Sequence, residues 1–154
     1  MNVAVTPATN VSPDLVAAFS RLLPQLSAGA HPLSAADLQA IIDAPGTTLL
    51  VARAPEIVGT VTLVHFRIPS GPRARIESMV VDQGARNQGV GAALCRAALE
   101  RARHLGVNAV DLTSAPARQA ANRLYQALGF ERRDTNVYRF WFEGRQTSPL
   151  ARGE

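Results

Sequence analysis

The densest chemistry in the chain lies in six residues, Arg86-Asn87-Gln88-Gly89-Val90-Gly91. A strand-like run precedes them and a helical periodicity follows. Glycines let the backbone approach a ligand, the first N–H groups of a helix lack partners, and the helix dipole favours negative charge there. The chemistry on offer is anion binding. No Gly-Lys-Ser or Gly-Lys-Thr follows, so this is not a P-loop, and the first glycine of a dinucleotide fingerprint is missing. An ordinary Gly-rich strand-to-helix junction is the alternative. A second constellation is Asn122 with Tyr125, three apart and therefore on one helix face. Cys95, the single cysteine, falls on the apolar face of a helix and reads as a small core residue rather than a nucleophile. His31, His65 and His104 are scattered, so no metal site is expected.

Several elements must position these groups. Residues 76–82 read as a strand. Residues 92–105 read as a helix with Leu94, Cys95, Ala98, Ala102 and Leu105 on one face, and Gly106 as its stop. Upstream, residues 3–5 suggest a short strand and residues 13–26 a helix, with Leu15, Phe19, Leu22, Leu23 and Leu26 at helical spacing. Ser34 and Asp37 have capping-box spacing at the start of a second helix, which Pro45-Gly46 ends. Residues 47–53 and 57–68, then a strand around 75–82, read as an antiparallel meander. Its second turn is Pro69-Ser70-Gly71-Pro72. Gly59 inside the second strand marks either a bulge or close packing. Downstream, residues 109–113 read as a buried strand, 117–128 as a helix, and 130–132 and 137–142 as closing strands. The strand-helix-strand order around the loop implies a parallel pair with a right-handed crossover.

The chain has 154 residues, 47% hydrophobic and 18% charged, which suits one globular domain. Residues 1–143 read as that domain and residues 144–154 as a mobile tail. No leader pattern and no apolar run of spanning length is seen, so a cytoplasmic protein without a membrane partner is expected. Net charge is +4 with a pI near 10.5, and all 16 basic residues are arginine. The arginines are dispersed and aromatics are only 5%, which disfavours a nucleic-acid partner and favours a small anionic ligand.

Arg-x-x-Gly-x-Gly between a strand and a helix resembles the pyrophosphate motif of the GNAT superfamily of acyl-CoA-dependent N-acyltransferases. Asn122-x-x-Tyr125 running into Leu128-Gly129-Phe130 is similar to the second signature of that family. The resemblance covers essentially the whole domain. It implies an α/β (α+β) fold, with a mixed, mostly antiparallel sheet flanked by helices on both faces. It also implies acetyl-CoA as co-substrate, with a longer acyl group as the alternative, and a primary amine of a small molecule as acceptor. The acyl-CoA would enter where the fourth and fifth strands splay. Main-chain groups of Met79 and Val81 would pair with pantetheine, and amides of Arg86, Asn87, Gln88, Gly89, Val90, Gly91 and Ala92 would hold the diphosphate. Asn122 would orient pantetheine or the local backbone. Family members often dimerise, although no self-complementary patch is readable here.

The implied reaction is direct attack of an amine on a thioester. The N–H of Met79 or Val80 is the candidate oxyanion donor. Glu77 is the candidate base on the fourth strand. An amine of pKa about 10 and an ordinary carboxylate of about 4.3 differ by roughly six units, or about 8 kcal/mol. Glu77 therefore either acts as a buried base, or anchors the ammonium while solvent takes the proton, or is a surface residue paired with Arg75 or Arg67. Tyr125 is the candidate general acid. A phenol of pKa about 10 donating to a thiolate of about 8.5 is uphill by only roughly 2 kcal/mol. Arg67, Arg73 and Arg75 are candidates for meeting an anionic acceptor, with a plain surface cluster as the alternative. Three other readings stay open: a catalytically silent acyl-CoA-binding module that regulates a partner, an acetyltransferase of protein or peptide amines, and a basic nucleic-acid binder.

Overall fold

A computed structural model describes residues 1–143. By their contacts these fall into two compact units, one of Met1–Leu112 and a second that begins at Thr113. The residues expected to form a tail, 144–154, lie outside the described ones.

The first unit holds a five-stranded sheet in the order β1-β2-β3-β4-β5. The strands are β1 (Ala4–Pro7), β2 (Thr47–Arg53), β3 (Ile57–Ile68), β4 (Gly71–Val81) and β5 (Val110–Asp111). β1 through β4 are antiparallel neighbours, and β5 joins β4 in parallel. The fourth strand begins earlier than its apolar run suggests. Ile68 pairs with Gly71, which leaves Pro69-Ser70 as a two-residue hairpin loop and carries the ladder through Pro72 and Arg73. Proline at this turn presets its bend, and Gly71 takes the left-handed conformation at φ 117°.

Helix α1 (Pro13–Leu26) starts with proline in its first turn, where the missing N–H costs nothing. Helix α2 (Ala35–Asp43) carries the expected capping box. Ser34 Oγ accepts from the Asp37 N–H at 3.1 Å, and the Ser34 N–H donates to Asp37 Oδ2 at 2.9 Å. Leu15, Ala18, Phe19 and Leu22 of α1 and Leu38 of α2 form one core with Leu49, Val51, Ile57 and Val80 of the sheet. Leu50 and Ala52 alternate with Leu49 and Val51 and therefore point to the opposite face; both are buried. Helix α3 (Val90–His104) packs against β2, β3 and β4, with Leu94, Cys95, Ala98 and Ala102 buried. The sheet thus has helices on both faces. Gly59 proves to be a close-packing position. A Cβ there would stand 2.9 Å from the Val80 carbonyl oxygen and 3.0 Å from Leu94 Cδ1. A register shift lies beside it as well, between Ala52 and Arg53.

The second unit contains helix α4 (Gln119–Ala127). The structure corrects the reading of its remainder. Residues 130–132 and 137–142 are not strands; in the first unit β5, too, departs from expectation, with two residues of the five expected. Val137, Tyr138, Phe140 and Phe142 stand exposed. Their alternation is local, whereas a strand needs a partner edge, which sequence alternation alone does not supply.

Candidate active site

β4 reaches the loop through a bulge. Thr62 pairs with Glu77 and Thr60 with Val80, so two steps on β3 match three on β4. Ser78 absorbs the extra residue with φ 51°, a left-handed conformation uncommon for a side-chain-bearing residue. A bulge leaves a main-chain group out of the ladder, here beside the N–H groups of Met79 and Val80. No sequence feature marks Ser78, since glycine is the usual signal for this geometry.

The strands part at the same place. β5 pairs with β4 only at Ala74↔Val110 and Arg75↔Asp111, while β4 runs on to Val81. Among the described residues, 76–81 therefore have no strand partner on that side of β4. The side chains around this opening differ in environment. Val80 is buried in the α1–α2 core. Met79 turns the other way, its Sδ 3.5 Å from Cys95 Sγ. Burial pushes the Cys95 thiol up to about 11, so it stays protonated and packs as a core residue. Glu77 lies half-exposed, its Oε1 accepting from Arg75 Nε at 3.1 Å. The surface pairing set against a catalytic role is the one present.

Beyond Val81 the chain makes a 3₁₀ turn, Gln83–Ala85, capped by Asp82, which accepts from the Gly84 N–H at 3.4 Å. Ala85 anchors this turn in the interior. Arg86 then folds back, its Nε donating to the Val81 carbonyl at 3.2 Å. That bond uses one guanidinium donor of five and one of the two lone pairs of the Val81 oxygen. Gln88 Nε2 donates to the Gly84 carbonyl at 3.0 Å. Asn87 (φ 61°) and Gly89 (φ 84°) are both left-handed. Alternation of this kind turns successive N–H groups toward one concavity, a nest suited to anions. Gly89 is the N-cap of α3 and offers no side chain to the first amides. The N–H groups of Val90, Gly91 and Ala92, in the first turn, thus have no intrahelical acceptor. Among the described residues, a Cβ on Gly89 would meet nothing within 4 Å, which leaves open space at that Cβ position. An anionic diphosphate fits these donors. Among the described residues no group of three or more His, Cys, Asp or Glu could hold a metal ion.

In the second unit, the Leu128-Gly129-Phe130 ending is a Schellman cap. The Phe130 N–H bonds the Tyr125 carbonyl and the Gly129 N–H the Gln126 carbonyl, each at 3.0 Å, with Gly129 at φ 95°. Tyr125 and Phe130 pack edge to face at 5.8 Å, and Tyr125 is 7% exposed. The motif thus has a structural reason: it locks the ring of Tyr125. Asn122 Nδ2 donates to the Ala115 carbonyl at 2.9 Å, which is the local-backbone role of its two candidate roles.

Known proteins share this architecture. N-acetyltransferase 8B of Homo sapiens is 32% identical over 99 residues; the match covers 62% of this chain and 44% of that protein. A transcriptional regulator from Bacillus halodurans C-125 is 27% identical, with a TM-score of 0.74 over 91% of this chain and all of that one. AAC(6')-Iy, solved with the bisubstrate analogue CoA-S-monomethyl-acetylneamine, is 19% identical, with a TM-score of 0.76 over 92% of this chain and 99% of its own. Residues 15–130 match the Acetyltransferase (GNAT) family. From the first core helix to Phe130, then, the chain belongs to the acetyltransferase (GNAT) family.

Proposed function

We propose that this protein is an N-acetyltransferase that moves the acetyl group of acetyl-CoA onto a primary amine of a small molecule by direct attack. One observation carries the reading. The unpaired edge of β4 runs through a bulge into a nest of outward amides at the start of α3. An extended chain ending in a diphosphate matches that sequence of donors, whereas an inorganic anion alone would leave the β4 edge unused.

The thioester supplies an activated acyl carbon, and the chain supplies the rest. The N–H of Met79 or Val80, beside the bulge, takes the charge that develops on the acyl oxygen. The donor to the leaving sulfur in this scheme is the Tyr125 hydroxyl, a role that rests on the Asn122-x-x-Tyr125 signature. Glu77 anchors the ammonium while solvent takes its proton, because the half-exposed Glu77 carboxylate is already paired with the Arg75 guanidinium. The small-molecule acceptor follows the precedent of AAC(6')-Iy and its bisubstrate ligand.

Isothermal titration with CoA, followed by thiol release from acetyl-CoA with a panel of small amines and lysine peptides, tests this. Tight CoA binding with release on a small amine is the expected result. Release only with peptides would move the acceptor to proteins. Binding without release on any amine would favour a silent acyl-CoA sensor, a reading that similarity to the Bacillus halodurans regulator keeps in play.

A further inference from the structure

The nest at the start of α3 is tied to the first helix. Arg21 Nε donates to Asp82 Oδ2, and its Nη2 donates to the Ile57 carbonyl, both at 2.6 Å. One turn later, Gln25 Oε1 accepts from the Gln83 N–H at 2.8 Å. Residues four apart share a helix face, so α1 presents both groups to the same stretch of chain. Asp82 passes the restraint on. Its second oxygen accepts from the Gly84 N–H, and its carbonyl accepts from the Ala85 N–H at 2.8 Å. The Asp82 side chain is only 19% exposed. Two donors of one guanidinium reach two separate acceptors, which fixes a geometry that a lone surface pair does not.

The loop needs such a brace. From Gln83 to Gly89 its one deeply buried side chain is that of Ala85, and two of its residues hold left-handed conformations. Its own packing therefore does little to hold the amides in register. The opposite face of α1, by contrast, is embedded in the core through Leu15, Ala18, Phe19 and Leu22.

We infer that Arg21 and Gln25 are positioning residues for the diphosphate cradle, holding Asp82-Gln83 so that the amides of Asn87 to Ala92 converge on one anion. The inference rests on the reading of the nest as the cofactor's diphosphate site. It makes an unusual claim about sign. Asp82 is an anion near a polyanion's site, so simple repulsion predicts that neutralising it tightens CoA. The same holds if Arg21 were itself a phosphate ligand, since losing Asp82 would release it. A positioning role predicts the reverse.

The test uses the full chain with Arg21→Ala, Gln25→Ala, Asp82→Asn and the Arg21→Ala/Asp82→Asn double variant. Affinity for CoA is measured by titration, and for pantetheine, which lacks the diphosphate, by competition against CoA. The expected result is a roughly five- to tenfold loss of CoA affinity in Arg21→Ala and in Asp82→Asn, with the double variant no weaker than either. Pantetheine affinity should stay the same. Gln25→Ala removes no charge and should lose about two- to threefold; it carries the test if the Arg21 variants do not fold. Unchanged or tighter CoA binding in Asp82→Asn, or equal losses for CoA and pantetheine, would overturn the inference and leave the cradle intact. If the unmodified chain itself fails to bind CoA, the cradle reading falls, and this inference with it.

Discussion

At the scale of single residues, chemistry and strain sit on different side chains. Tyr125→Phe removes one hydroxyl while keeping the buried ring and its contact with Phe130. It should lower turnover by about 10²-fold or more, with CoA affinity nearly unchanged. Equal loss of both would remove Tyr125 from the leaving-group role. Ser78 holds a conformation that glycine adopts freely, so Ser78→Gly should raise stability by about 0.5–1 kcal/mol, and Ser78→Val should lower it. Thermal unfolding reads both, and a lower Tm for the glycine variant would show that Ser78 is not strained. Tyr125 was legible in the sequence because its neighbours Leu128-Gly129-Phe130 announce the cap that fixes it. Ser78 was not. A serine in a strand looks ordinary until the pairing of β3 with β4 reveals the extra residue.

At the scale of elements, two glycines fix local geometry, one in each unit, through their backbone conformations. Gly129 closes α4 at φ 95°, so Gly129→Ala should cost about 1 kcal/mol and lower Tm by a few degrees. Gly89 is at φ 84° with open space at its Cβ position. Gly89→Val should therefore be strained at the backbone and also place a branched side chain where the diphosphate is proposed to rest. Loss of CoA binding exceeding the loss of stability, seen by titration beside thermal unfolding, would support that site. Matching losses would speak against it. Most elements were legible because their signals are local. The periodicity of α1, the capping box of α2 and the Pro-Ser turn between β3 and β4 each depend on neighbours in the chain. The expected closing strands were misread for the same reason, since alternation at residues 137–142 says nothing about which edge is available.

At the scale of the whole molecule, acid should loosen the first unit. The hydrogen bond from Arg21 holds the Asp82 carboxyl below its usual range. The Ser12 hydroxyl does the same for Asp14, and the Ser34 N–H for Asp37. A carboxyl with a depressed folded-state value contributes stability that is complete above the unfolded value, near pH 4. That contribution is lost as pH falls through the lowered value. Unfolding in denaturant at pH 6 and at pH 3 should show the wild type losing stability in acid and Asp82→Asn losing less. An equal loss in both would remove Asp82 from the account. The sequence by itself determined the family, the Gly-rich loop between β4 and α3, the antiparallel meander and the Asn122-x-x-Tyr125 signature. Each is written in residues close together along the chain, where glycine, proline and apolar spacing act directly on the backbone. Only the tertiary structure decided the bulge at Ser78, how far β4 runs on beyond β5, and the brace from Arg21 to Asp82. These depend on register and on residues as far apart as 21 and 82, and nothing in local spacing encodes which distant groups will meet.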